Sequence, residues 1–414
     1  MLVNELTYAY ENVPFYKKHF DTAGIKPADI KSARDIANIP TSQKRDFRKN
    51  FPMGVLAKGF SLDSPILTRS QSSGTTGERL VTYEMGLLLM GRAMASCEVN
   101  PGVEAAFVNR NRKICRYAAP NCSDVECANP NSTMSDRLLS DGTLVLPVYH
   151  DLLTTSERLI ETAIEEILEY QPDLYYVDPT HFAFLMGEFK KRGIRPPKAP
   201  ILCSYTSVTE LNKARILSSF DDDAVFAELL SCSEMGWVAM DCPAGHLHLN
   251  DQSYFIEVLD PNGNPVSHGG TGELVISSID QGAIPHIRYK TGDYLTVNNT
   301  PCDCGHQSTV VEMSGRGSNS IHLQDGSMLG TKVIDRIIGA PSGLELYQLH
   351  QHTELQFTLR LINDVNFDKQ AFSITTDTLH TLLGESVDIQ IEYVNYISTE
   401  RSGKFQILKS DIDG

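Results

Sequence analysis

The stretch Ser70-Gln-Ser-Ser-Gly-Thr-Thr-Gly-Glu-Arg-Leu80 gathers three serines, two threonines and two glycines. Glycine lets the backbone approach a ligand closely, and successive N–H groups and hydroxyls can converge on phosphate oxygens. The same composition also makes an ordinary solvated turn. It is not a Walker-type loop, because Glu78-Arg79 follows the last glycine where Lys-Ser/Thr would be needed. A second group combines sulfur and imidazole: Cys242-Pro-Ala-Gly-His-Leu-His248 and Cys302-Asp-Cys-Gly-His306. Thiolates and imidazole suit tetrahedral Zn²⁺ better than Mg²⁺ or Ca²⁺. The candidate zinc ligands are Cys242, His248, Cys302 and Cys304, with His246 and His306 as spares; the alternative is free thiols in turns. Four protein ligands leave no position for water, so such a site would staple the surrounding chain rather than catalyse.

The whole chain limits what this chemistry can serve. Its 414 residues allow one large domain or two to three ordinary ones, and its 41% hydrophobic and 21% charged residues describe a globular protein. A net charge of −16 argues against non-specific binding to nucleic acid or to an anionic membrane surface, while leaving room for a local cluster that holds an anionic substrate. No apolar run approaches the roughly 18 residues that a membrane span needs. Met85-Gly-Leu-Leu-Leu-Met-Gly-Arg92 reads as a buried helix instead. The first residues lack a basic segment followed by an apolar one, so the expected compartment is the cytoplasm. Nine cysteines at irregular spacing fit free thiols or metal ligands better than a disulfide framework.

Several elements must position these groups. Residues 1–55 read as helices, with Asn4 to Ala23 the longest run. The hydroxyl-rich loop falls between a strand at 64–69 and a helix from Met85 onward. Beyond it, strands at 143–149, 173–177, 199–203 and 224–227 alternate with helices at 155–170, 179–192 and 210–220. That alternation predicts a layered α/β domain with a parallel or mixed sheet. Pro147 suggests an edge position for the strand at 143–149. From 253 the texture becomes β-rich, with strands at 254–259, 272–277 and 293–297. A compact α+β unit follows: a hairpin at 320–328, helices at 331–338 and 369–383, and strands at 344–352, 355–361 and 388–394. The fold class is therefore α/β, with a large N-terminal domain (1–317) containing a β-rich part and a small C-terminal domain (318–414).

The order Ser-Ser-Gly-Thr-Thr-Gly resembles the phosphate-binding loop of the acyl-adenylate-forming superfamily, and within it the phenylacetate–CoA ligase family. Tyr10-Glu-Asn-Val-Pro-Phe-Tyr16, Ala23-Gly24-Ile25, Asp35-Ile36 and Ile39-Pro40 are similar to that family's opening stretch. The resemblance covers essentially the whole chain and implies an adenylate-forming enzyme fold. It also implies that Ser72, Ser73, Gly74, Thr75, Thr76 and Gly77 cradle the phosphates of ATP, with Thr76 among the catalytic groups. Ser231-Cys-Ser-Glu234 stands where the family carries an aromatic-Gly-x-Thr-Glu motif, which implies that Glu234 helps bind Mg²⁺. Arg288-Tyr-Lys-Thr-Gly-Asp293 matches Tyr-x-Thr-Gly-Asp and assigns Asp293 to the ribose hydroxyls. Gly315-Arg316 matches the pair at the domain junction, with Arg316 near ribose and phosphates. Arg401-Ser-Gly-Lys404 is one residue shorter than the family's Arg-x-x-Gly-Lys. Lys404 is then the lysine that bridges carboxylate and α-phosphate. Some members also carry a Cys…His…Cys-x-Cys zinc site.

The activity implied is ATP-dependent activation of a carboxylic acid, of the aryl class, as an acyl-adenylate passed to a thiol. The thiol is CoA or, as the alternative, the phosphopantetheine of an acyl carrier protein. A degenerate nucleotide-binding module is the reading from another class. A small C-terminal domain turning near Ser318 and a possible homodimer belong to the same expectation. The chain departs from the family at Glu78-Arg79, at Leu230-Ser231, at Ser318-Asn319, and at Ser204-Tyr-Thr-Ser-Val-Thr209, which replaces the usual adenine segment.

Overall fold

The computed structural model describes residues 2–72, 79–119, 131–298 and 300–412. They form two compact units, Met1–Glu104 with Leu229–Glu312, and Ala105–Glu228 with Met313–Gly414.

In the first unit the N-terminal run is two helices, Leu2–Asn12 and Pro14–Ala23. The break follows from Pro14, whose missing N–H suits the first turn of a helix and not its interior. Leu6, Ala9, Val13, Tyr16 and Phe20 are fully buried against Ile284, Ile287 and Tyr289. The β-rich part is as expected: Tyr254–Leu259, Thr271–Ser278 and Tyr289–Asn298 pair antiparallel. Gly236–Asp241 and Leu247–Leu249 form a further antiparallel pair that the sequence did not suggest.

Two expectations are corrected here. The hydroxyl-rich loop does not run from a strand into a helix: Leu67–Gln71 pairs antiparallel with a second strand, Val81–Met85, and the helix starts only at Gly86. That helix, Gly86–Cys97, is not buried all round. Leu87 is 83% exposed and Met90 and Met94 are also exposed, while Arg92, Ala93, Ser96 and Cys97 face inward. The inward side is polar because Arg92 pairs with Glu84 (3.2 Å) and Asp280 (2.8 Å), and a charge can be buried only when so paired.

In the second unit, Ile114–Tyr117, Thr143–Val145, Leu174–Val177, Ile201–Cys203 and residues 226–228 build a parallel sheet. Thr143–Val145 stands at its edge, where Pro147 suggested, though the strand is shorter than expected. The helix Glu157–Tyr170 buries Leu159, Ile160, Ala163, Ile164 and Ile167 of its expected apolar stripe, whereas Leu168, also expected in it, is exposed. The C-terminal segment has its own sheet, in the order Asp388–Tyr393, Gln356–Asn363, Leu344–Gln351, Leu408–Ser410. The helices Thr331–Ile338 and Ser373–Leu383 contribute Ile334, Ile338, Leu379 and Leu383 to the core beneath it.

Candidate active site and candidate metal centre

Ser72 closes the base of the hydroxyl-rich loop. Its N–H donates to the Leu80 carbonyl and its Oγ accepts from the Leu80 N–H, both at 2.8 Å. Ser73, Gly74, Thr75, Thr76, Gly77 and Glu78 lie outside the described residues. Ser233 Oγ donates to the Gln71 carbonyl at 3.1 Å, which ties the hairpin to the turn that carries Glu234.

Glu234 is 5% exposed. Its Oε1 accepts from the Tyr289 hydroxyl at 2.9 Å and lies 3.3 Å from Lys44 Nζ. Burial acts to raise the carboxyl pKa, but Lys44, the residue's own N–H, His286 and the Tyr289 hydroxyl outweigh it and keep the group below its ordinary value. His286, stacked on Phe47, is itself pushed down to about 4 by burial, so it is neutral beside an ionised carboxylate. A buried, charged oxygen ligand suits a hard cation. The turn is fixed from behind, where Arg92 Nη1 and the Tyr254 hydroxyl both donate to the Met235 carbonyl. Lys44, Tyr289, His286 and Arg92 have no readable spacing to Glu234 in the sequence; only the fold brings them together.

The Arg288–Asp293 motif divides into distinct tasks. Arg288 is 4% exposed, pairs in two parallel bonds of 2.9 Å with Glu257, and donates to the Ala37 and Ile39 carbonyls. It therefore anchors the N-terminal segment on the β-rich sheet. Asp293 does not open its strand in the way the sequence suggested: the strand runs over Tyr289–Asn298, the register shifts between Glu273 and Val275, and Thr291-Gly-Asp293 lies opposite that irregularity. Gly292 adopts φ +79° there, and Thr291 Oγ1 accepts from the Asp293 N–H at 3.1 Å. Such irregularities re-aim a side chain; Asp293 is 3% exposed.

In the second unit the C-terminal lysine comes into place. The loop 400–404 closes on itself: the Gly403 N–H donates to the Glu400 carbonyl at 2.8 Å, with Gly403 at φ +80°, and the Glu400 N–H donates to the Lys404 carbonyl at 2.9 Å. Lys404 Nζ then donates to the Tyr205 carbonyl at 2.9 Å. Tyr205 belongs to the segment 204–209, which stands in the adenine position by resemblance. The Glu400 carboxyl, missed from sequence, is raised by burial, against the opposing pull of its Ser402 hydrogen bond, Lys404 and Arg316. Arg316 and Lys404 thus face one carboxyl. His150 Nε2 meets the Arg401 carbonyl at 2.7 Å, which fixes the same loop to the middle of the chain.

The zinc candidates also converge. Gly236–Asp241 ends at Cys242 in a turn closed by Gly245 (φ +76°), and Cys302 opens a similar turn closed by Gly305 (φ +82°). One ligand atom from each of Cys242, His248, Cys302 and Cys304 lies within 4.8 Å of the others. Cys242 and Cys302 sulfurs are 3.7 Å apart, and Cys304 Sγ is 3.4 Å from His248 Nε2. The other nitrogen of His248 is 3.1 Å from Ser308 Oγ, an outer contact that orients the ring. Burial works against ionising Cys302, yet the Cys304 N–H, His246, His248 and Cys304 lower its pKa to about 6. The donor set and spacing fit a closed zinc centre.

Sequence comparison places the chain among known proteins. It is 25% identical over 361 residues to a phenylacetate-coenzyme A ligase of Thermus thermophilus, covering 83% of this chain and 75% of that one. A phenylacetate-coenzyme A ligase of Aromatoleum evansii is 26% identical over 359 residues, covering 83% and 74%. The chain is thus similar in sequence to phenylacetate-coenzyme A ligases. The CapK C-terminal domain family matches residues 322–411 of the chain. A crystal structure of a 2-hydroxyisobutyryl-CoA ligase in the postadenylation state superposes with a TM-score of 0.71 at 17% identity, covering 100% of this chain and 89% of that one. A benzoate CoA ligase from Burkholderia xenovorans superposes at 0.53 and 13% identity, covering 84% and 69%. The fold is that of the adenylate-forming CoA ligases. Among the described residues no helix is long and apolar enough to cross a membrane.

Proposed function

We propose that this chain is an ATP-dependent acid–thiol ligase that activates an aryl carboxylic acid and passes it to CoA. The observation that carries the reading is Lys404: a lysine near the chain end reaches the Tyr205 carbonyl, 199 residues away, in the segment assigned to adenine. The names of the relatives, phenylacetate-coenzyme A ligases, support the substrate class.

In the first half-reaction a carboxylate oxygen of the acid attacks the α-phosphorus of ATP. The bond to the β-phosphate oxygen breaks and pyrophosphate leaves. Lys404 and Arg316 lower the charge repulsion between two anions, and Ser72 to Gly77 hold the phosphates. Asp293 accepts hydrogen bonds from the ribose. Glu234 is the carboxylate that would hold Mg²⁺, which when bound neutralises phosphate charge. In the second half-reaction the CoA sulfur attacks the acyl carbon, the bond from that carbon to the phosphate oxygen breaks, and AMP leaves. Residues 318–414 are the small domain that turns between the two steps. Cys242, His248, Cys302 and Cys304 would hold a structural Zn²⁺, whose contribution would be to fasten the two turns rather than to serve the reaction.

ATP–pyrophosphate exchange with Mg²⁺ against a panel of aryl and aliphatic acids tests this reading. Exchange stimulated by an aryl acid, followed by thioester formation on adding CoA, is the expected result. Exchange without thioester would point to a carrier-protein acceptor. Absence of exchange with every acid, in protein that binds ATP, would overturn the ligase assignment.

A further inference from the structure

The C-terminal sheet carries a second cluster of ligating side chains, which contains no cysteine. His350 and His352 lie two residues apart at the end of the strand Leu344–Gln351, so strand alternation sends both to one face. The strand Leu408–Ser410 pairs with it in parallel, Gln351 opposite Ser410, and the next residue is Asp411. The Asp411 N–H donates to the Gln351 carbonyl at 2.9 Å, which fixes where its carboxylate starts. That carboxylate turns one oxygen to both imidazoles: Asp411 Oδ2 is 2.8 Å from His350 Nε2 and 3.4 Å from His352 Nδ1. The two rings are 4.1 Å apart, centroid to centroid, and one ligand atom from each of the three residues lies within 4.8 Å of the others.

We propose that His350, His352 and Asp411 form a second metal site, for a divalent transition ion of the Zn²⁺ type. Imidazole and carboxylate together suit such an ion, and not Mg²⁺ or Ca²⁺, which prefer oxygen alone. An ion at about 2.0–2.2 Å from each ligand sets those ligands roughly 3.0–3.5 Å apart; the separation to His352 Nδ1, 3.4 Å, falls in that range, and that to His350 Nε2, 2.8 Å, is a hydrogen-bond length that opens by a few tenths of an ångström to admit the ion. The ring nitrogen of His352 that faces away from the cluster, Nε2, is 2.8 Å from Thr358 Oγ1. Thr358 pairs with His350 across the adjacent strand and so orients the His352 ring from outside, the usual support for a ligating imidazole. His350 is 6% exposed, but the side chains of His352 and Asp411 are 36% and 47% exposed, so an ion can enter and water can complete its shell.

The position gives such an ion a task. Asp411 comes seven residues after Lys404, on the far side of the last strand of the sheet. An ion bridging it to His350 and His352 fastens that strand to the sheet and thereby steadies the loop 400–404. Nothing in this site depends on the ligase reading.

Metal uptake by the full-length protein tests it. The protein is stripped with a chelator and titrated with Zn²⁺, and in parallel with Co²⁺, whose thiolate charge-transfer band reports the cysteine site alone. Wild-type protein is expected to take up one more equivalent of Zn²⁺ than either Asp411→Asn or His352→Ala, with the Co²⁺–thiolate band unchanged in both. Thr358→Val is expected to weaken that uptake about 10-fold. Both ligand substitutions fall on partly exposed side chains, and circular dichroism confirms that the variants are folded. Equal Zn²⁺ stoichiometry in wild type and both variants would overturn the proposal and leave a hydrogen-bonded His–Asp cluster.

Discussion

Glu234 and Lys404 show how two single charges are prepared for different tasks. Glu234 is buried and kept ionised by Lys44, its own N–H and the Tyr289 hydroxyl, against the pull of desolvation. Glu234→Gln keeps the shape and removes the charge, so ATP–pyrophosphate exchange should fall about 10²-fold, with a raised Mg²⁺ requirement. The lowered pKa also sets a sign for stability. The contribution of Glu234 is fully present above the ordinary carboxylate value of 4.5 and is lost as pH falls through the lower folded value. Urea melts between neutral and acidic pH should therefore show less loss of stability on acidification for Glu234→Gln than for wild type; parallel curves would contradict that origin of the charge. Lys404 sits instead on a small closed loop and contacts a backbone carbonyl, a partner it can leave. Lys404→Ala should lower exchange by about 10²–10³-fold while a supplied acyl-adenylate is converted to thioester within a few-fold of wild type. Equal loss in both assays would count against its role in the first step. Glu234, Asp293 and Lys404 stand in short motifs that the sequence alone displays. Their contacts are not legible there: Lys44 and Glu400 carry no local pattern, and Tyr289 and Tyr205, though they lie in segments that the sequence singles out, reach Glu234 and Lys404 only through the fold.

At the scale of elements, legibility followed periodicity and length. The helix Thr331–Ile338 and the strand Tyr254–Leu259 occur at the residues that the sequence indicated, since each has a clear apolar period. Gly236–Asp241 and Leu247–Leu249 escaped notice because they are short and carry Gly236, Trp237 and His248 where alternation would show. The helix Gly86–Cys97 misled in the other direction: its leucines look like core, but the buried face is chosen by the ion pairs of Arg92. The two cysteine turns depend on these inconspicuous strands, Cys242 following one and His248 lying within the other. If Zn²⁺ joins the turns, binding free energy is folding free energy for this part of the chain. Chelation should lower the melting temperature by roughly 5–10 °C, and Cys304→Ser should lose the metal and show the lower melting temperature without chelator. A metal analysis of purified protein without zinc, or a melting temperature indifferent to chelator, would remove this staple.

At the scale of the whole chain, residues 318–414 have their own sheet, and polar contacts join them to residues 105–228 within one compact unit. Lys332 Nζ is 2.9 Å from Glu228 Oε2 and also donates to the Val208 carbonyl, and the Glu210 N–H donates to Asp335 at 3.0 Å. Arg215 donates to the Glu345 carbonyl at 2.7 Å, and Lys404 to that of Tyr205 at 2.9 Å. The junction has an apolar part as well, since Leu211 belongs to the buried core of the C-terminal segment and Leu153 packs against it. If the docked arrangement is the one that serves adenylate formation, weakening it shifts the population toward the other arrangement by as much as the lost contact was worth. Lys332→Met keeps the length of the side chain and removes one ion pair of the order of 1 kcal/mol. Adenylate formation should then fall about 5-fold, and thioester formation from supplied acyl-adenylate should stay level or rise. Lys332 also touches Val208 in the segment 204–209, so unchanged ATP affinity of the variant is needed for a selective effect to report domain position. Equal reduction of both steps would mean that Lys332 supports the fold alone and that these contacts do not govern the turn of the small domain.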